Sequence, residues 1–160
     1  MDGVRFLWLA MLVALSGKAW ALCEGGYPNL SLAREMRDAR FVVVARPQSF
    51  TRVQDTAEDP EGYVATRVRL KIDEVLYGTV PADAKRGQLD IVDPNTSARF
   101  GLDERDTGKP YLLFVSEGED GYWIDACGHS GELAKSRATL RQVRALARSG
   151  ADLPQPMQGR

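Results

Sequence analysis

The tightest constraint on this chain lies in residues 63–73. There Val64, Thr66, Val68, Leu70 and Ile72 alternate with Arg67, Arg69, Lys71 and Asp73. Successive side chains of a strand point to opposite sides, so this spacing predicts a strand with an apolar face on a core and a charged face in water. Val75-Leu76-Tyr77-Gly78 closes it. The rest of the chain has to supply the cover for that apolar face.

Other segments supply it. Residues 40–46, Arg-Phe-Val-Val-Val-Ala-Arg, form a β-branched run ahead of Pro47, read as a largely buried strand ending there. Residues 88–92 alternate again through Leu89 and Ile91 and stop at Asp93-Pro94. Tyr111-Leu112-Leu113-Phe114-Val115 is apolar at every position, which fits a strand buried on both faces. Residues 117–121 have hairpin-turn composition, and residues 122–127 return as a strand. Residues 54–62 read as a polar loop, 81–87 as loop, and 95–108 as loop with Phe100 and Leu102 tucked inward.

Two helices flank these strands. Residues 28–38 place Leu32, Ala33 and Met36 on one face behind a capping Asn29 or Ser31. The second starts at an N-cap Ser130 and carries Leu133, Leu140, Val143 and Ala147 inward, with Arg141, Arg144 and Arg148 on a solvated face. Five short strands with protected edges favour a closed sheet. The expected fold is mainly β with flanking helices, an OB-type five-stranded barrel with an N-terminal and a C-terminal helix.

The chain begins with the order of a secretory signal. Arg5 precedes an apolar run over residues 6–15, and Ala19-Trp20-Ala21 is a small-x-small cleavage site. That run has ten residues, against roughly 20 for a spanning helix, so an uncleaved anchor is the lesser reading. A lipid-modified Cys23 is disfavoured because Leu22, not a small residue, precedes it. The divisions are a signal peptide over 1–21, one domain over 22–150 and a flexible tail over 151–160, with export to the periplasm or beyond.

Past residue 21 the chain has 19 basic and 21 acidic residues in no long block of one sign. Composition therefore gives no support for a nucleic-acid binder. Cys23 and Cys127 are the only cysteines. In an oxidising compartment one bridge between them is the default, with two free thiols or an intermolecular bridge as alternatives. His129 is the single histidine, and with two cysteines it falls short of four zinc ligands.

No catalytic constellation emerges. His129 beside Ser130 reads as a turn or cap, with no third group to orient the imidazole. The pairs Asp103-Glu104, Asp73-Glu74 and Glu119-Asp120 read as solvated turns, and Gly101, Gly108, Gly118 and Gly121 lack phosphate-cradling spacing. Of Tyr122 and Trp123, one is expected in the barrel and the other at its rim.

The ordered set of a cysteine at the processed N-terminus, a short helix, Phe-Val-Val-Val-Ala, Val75-Leu76-Tyr77-Gly78, then Gly108-Lys109-Pro110-Tyr111-Leu112-Leu113-Phe114 and Cys127-Gly128-His129-Ser130 resembles the netrin-like domain family. That family includes the tissue inhibitors of metalloproteinases and small exported bacterial proteins. The resemblance spans roughly residues 23–147. It implies an OB-type barrel flanked by helices. It also implies a disulfide-pinned N-terminus whose α-amine and carbonyl oxygen chelate the zinc of a target protease. Carried onto this chain, the partner-binding residues are Leu22, Cys23 and Glu24, and cleavage after Ala21 gives the free amine to Leu22.

The functional expectation is an exported, non-enzymatic binding module without cofactor, engaging a protein partner, a zinc metalloprotease by resemblance, through that N-terminus. The alternative is a periplasmic OB-type binder of a glycan or small ligand using Tyr122, Trp123 and the barrel face.

Overall fold

In a computed structural model, the described residues are Cys23, Pro28, 30–55, 59–82, 84, 87–96 and 99–149. The expected signal peptide, the tail, Leu22 and Glu24 lie outside them. The described part is mainly β, with strands β1 (Phe41–Asp55), β2 (Asp59–Gly78), β3 (Gln88–Pro94), β4 (Tyr111–Gly118), β5 (Gly121–Ile124) and β6 (Gly131–Glu132). Helix α1 (Leu32–Asp38) precedes them and helix α2 (Arg137–Arg148) follows. A 3-10 turn over Glu104–Asp106 interrupts the connection before β4.

Five strands close into a ring in the order β1-β2-β3-β5-β4 and back to β1. The β1–β4 ladder runs antiparallel from Phe41↔Val115 to Ala45↔Tyr111. The opposite seam is slight, a single parallel bridge at Ile91↔Tyr122. Phe41, Val43, Ala45, Val68, Leu70, Ile91, Leu113 and Val115 fill the interior. Leu102 and Ala84 close over it from the connections, with Phe100 packed alongside, so the inward placement of Phe100 and Leu102 is observed. A buried carboxylate ties that connection down: Asp93 accepts from the Phe100 and Gly101 N–H groups at 2.9 Å each.

The other faces of β1 and β4 are buried as well. Val42, Leu112 and Phe114 form a second core with Met36 and Ala39 of the α1 region and Val143 of α2. Two-sided burial explains why both strands are apolar at consecutive positions instead of alternating.

Several sequence expectations shift. The first strand does not stop at Pro47 but runs to Asp55. Pairing with β4 ends at Ala45, and the ladder to β2 changes register between Pro47 and Ser49. A residue without an N–H is tolerated at such a place, and the Pro47 carbonyl accepts from Gly108 N at 2.8 Å. The loop expected over 54–62 is narrower, because Asp55 pairs with Asp59. In β2 the alternation holds from Thr66 to Ile72 but fails at Val64, which is 48% exposed. β3 ends opposite Ala65, so on that side of β2 no strand continues beside Val64.

Helix α2 begins at Arg137, not after Ser130, and Leu133 packs on the second core from the segment before it. Leu140, Val143 and Leu146 make its apolar stripe, while Ala147 is exposed. Helix α1 starts after Ser31, whose hydroxyl accepts from Arg34 N at 3.4 Å, which settles the cap between the two candidates.

Gly78 ends β2 at φ +76°, and a Cβ there would overlap the Arg40 carbonyl oxygen and stand 2.9 Å from Phe41 Cα. Both obstacles are backbone at the entry to the strand that closes the ring. Gly78→Ala is therefore expected to lower stability by ~2–4 kcal/mol, read as a fall in the urea midpoint at unchanged slope.

Candidate functional site

The edge of β4 opposite β1 has a gap in its pairing. β5 occupies it at Val115–Gly118 and β6 resumes at Tyr111 and Leu112, both on the side that β1 leaves free. Between β5 and β6 residues 125–130 leave the sheet as an excursion. In the gap the Phe114 N–H donates to Ser130 Oγ at 2.9 Å, so a hydroxyl replaces the strand carbonyl. Ser130 is thus a buried ladder substitute and not a helix cap.

The excursion is held at three points. At its start the Asp125 carboxylate accepts from Cys127 N at 2.8 Å. Cys127 is joined to Cys23 by a disulfide, Cα atoms 5.4 Å apart, across 104 residues of sequence. The bridge therefore starts from the turn after β5, three residues past Ile124, and not from within a returning strand over 122–127. At its crest sits Glu35 from α1, 6% exposed. Both of its carboxylate oxygens accept from the His129 backbone N–H, at 2.8 and 2.9 Å, and Nδ1 of the same residue contacts Oε2. Glycine at 128 leaves room for the Glu35 carboxylate, which a Cβ there would displace.

The His129 ring lies against Phe114, centroids 6.2 Å apart, and its polar contact is with Glu35, not Ser130. No nucleophile–base pair is assembled at this corner. Among the described residues, no group of three or more His, Cys, Asp or Glu side chains is placed to hold a metal ion. What the corner does chemically is fix the start of the domain. Cys23 is bonded to a turn that is itself bonded to α1 and seated on β4. Of the three partner-binding residues expected from sequence, Cys23 is at this corner, and Leu22 and Glu24 lie outside the described residues.

Sequence reasoning missed Glu35. Its signal was present: Leu32, Glu35, Met36 and Ala39 form one stripe, and a carboxylate within an apolar stripe calls for a buried partner.

The other expected features fall elsewhere. Tyr122 faces the ring and packs on Phe41 at 5.4 Å, whereas Trp123 points outward and is 40% exposed. Neighbouring strand residues take opposite faces, so the two cannot form one stacking platform. A cleft of about 590 Å³ opens beside the weak seam, lined by Arg69, Pro81, Ala84, Gln88, Asp90 and Tyr122. Asp73 pairs with Arg46 at 2.6 Å and Glu74 with Arg144 at 2.7 Å. Glu119 and Asp120 form the β4–β5 turn. Asp103 caps the 3-10 turn, and hydrogen bonds from the Arg105 guanidinium and backbone N–H hold its carboxyl down to about 2. No protein-family model matches the chain, and no curated protein matches it in sequence.

Removing the lock tests its weight. Glu35→Ala leaves the His129 N–H buried without its acceptor and is expected to lower stability by ~1–3 kcal/mol in urea titrations. Replacing both cysteines with serine is expected to remove up to ~5 kcal/mol, from a closed loop of this length. Unchanged midpoints in either case would show that the corner is not held this way. The Asp103 carboxyl is expected to titrate near 2 by NMR and to return toward ~3.9 in Arg105→Ala. Its ordinary value lies above its folded one, so its support of the turn is complete above about pH 4 and fades as the pH falls through about 2.

Proposed function

We propose that this chain is an exported, non-enzymatic binding module of OB type, which presents its disulfide-pinned N-terminus to a protein partner. The ring order, with β1 closing on β4 and β3 alongside β5, supports the OB-type reading. The observation that carries the function is the Cys23–Cys127 bridge onto a turn hydrogen-bonded through Glu35 and Ser130. Anchoring Cys23 in advance removes freedom that binding would otherwise remove, worth roughly 1–2 kcal/mol for a backbone residue fixed.

The partner class proposed is a zinc metalloprotease. A neutral α-amine and the adjoining carbonyl oxygen can fill open positions on a catalytic zinc, and Leu22 offers that amine once residues 1–21 are removed. Cys23 holds the wedge in place and Glu24 follows it into the cleft. The ligand atoms belong to the backbone, so this reading needs neither a histidine cluster nor a cofactor.

A second reading has its own observation. Trp123 stands exposed on the outside of the ring, the placement of a side chain that stacks on a sugar, and it supports a glycan-binding module. Tyr122 contributes only to the cleft beside the seam.

Exported protein, its N-terminus established by mass spectrometry, should inhibit at least one member of a panel of zinc endopeptidases. Adding a single alanine ahead of the natural N-terminus should abolish that inhibition and leave the thermal midpoint in place. Absence of inhibition across the panel would remove the metalloprotease as partner.

A further inference from the structure

The chain is slightly acidic as a whole, yet its charges are not evenly spread. The registers of β1 to β3 lay out three rows on the outside of the ring: Thr51–Arg67–Val92, Ser49–Arg69–Asp90 and Arg46–Lys71–Gln88. Ile91 and Tyr122, which bridge the seam, face inward, so their successors Val92 and Trp123 are neighbours on the outer side. Trp123 therefore continues the row that contains Arg67.

Arg67, Arg69 and Lys71 are all exposed. Asp90 engages Arg69 through two hydrogen bonds, at 2.8 and 3.0 Å, and Asp73 engages Arg46. Arg67 and Lys71 form no ion pair among the described residues. They stand four positions apart on one strand, about 13 Å, with the Arg69–Asp90 pair between them. The charge of Arg67 also reaches the Asp90 carboxylate, so the face, with Arg46, Arg67, Arg69 and Lys71 against Asp73 and Asp90, combines a surplus of two positive charges with an indole at its margin.

We propose that this face, from Lys71 through Arg67 to Trp123, binds an acidic polysaccharide whose sugars carry carboxylates. The proposal rests on the glycan-binding reading above and names its ligand class. Each component has a matching task. The guanidinium of Arg67 presents a planar fork that fits a carboxylate, and the Lys71 ammonium supplies a second, softer anchor further along the chain. The indole of Trp123, whose Nε1 edge lies over Gly118, offers an exposed apolar plane on which a sugar ring rests. An open face with spaced cations suits an extended polymer, because a single monosaccharide would reach only one of them. Nucleic acid is the poorer fit. Its backbone carries one charge per ~1.7 Å of duplex, which calls for many cations, and the face has two to spare and a single aromatic.

The test is affinity electrophoresis of the exported chain in gels containing polygalacturonate, dextran or single-stranded DNA. Retardation by polygalacturonate but not by dextran is expected, fading as sodium chloride is raised. The double variant Arg67→Glu/Lys71→Glu should weaken it by about tenfold or more, and Trp123→Ala should weaken it at every salt concentration. All three side chains are exposed, and unchanged circular dichroism verifies that the variants fold. DNA retarding the chain as strongly as polygalacturonate would overturn the proposal. So would dextran binding that depends on Trp123 and ignores the charge reversal, although the glycan reading would then survive. No retardation by either polysaccharide would sink both.

Discussion

Everything in this domain leans on the antiparallel ladder between β1 and β4. It closes the ring, and its residues are buried from both sides: Phe41, Val43, Leu113 and Val115 inward, Val42, Leu112 and Phe114 toward the helices. One pair of strands therefore belongs to two hydrophobic cores at once. At ~25 cal/mol per Å² of apolar surface removed from water, a strand buried on both faces contributes about twice what a strand with one wet face does. Loosening the ladder would open the interior and undock both helices in the same event. The two helices have few other partners, so they have no independent claim to stability.

The sequence made the strands easy to find and the corners hard. Continuous apolarity in residues 111–115 announced burial on both faces, and alternation through Thr66–Ile72 announced a strand with one wet side. Both signals are averages over several side chains and survive local irregularity. The misreadings were single residues whose role depends on a neighbour distant in sequence. Pro47 reads as a stop until one sees that the β4 ladder has already ended there. Ser130 reads as a cap until its hydroxyl is found on Phe114 N. The disulfide followed from counting two cysteines in a chain expected to be exported, but the turn carrying Cys127 depends on Glu35, 94 residues from His129. No local pattern in residues 125–130 announces that contact.

Charge shows the same limit. A net charge near zero says that the surface is mixed, and it says nothing about how the signs are sorted. Strand periodicity sorts them here. Arg67, Arg69 and Lys71 share a side because they sit two apart, and pairing to β3 decides which of them meets an acid. Whether a carboxylate such as Asp90 faces a given cation is a property of register, which composition does not carry.

The single bridge at Ile91↔Tyr122 gives the ring an asymmetry of strength. One seam is a ladder of five residue pairs sealed between two cores, and the other is one pair of residues beside an open cleft. A closed sheet stressed by heat or by an intruding ligand parts where the fewest bonds must break. This one is therefore a clasp with a fixed hinge and a light catch. Loosening would begin with β3 and β5 moving apart, while the β1–β4 ladder holds.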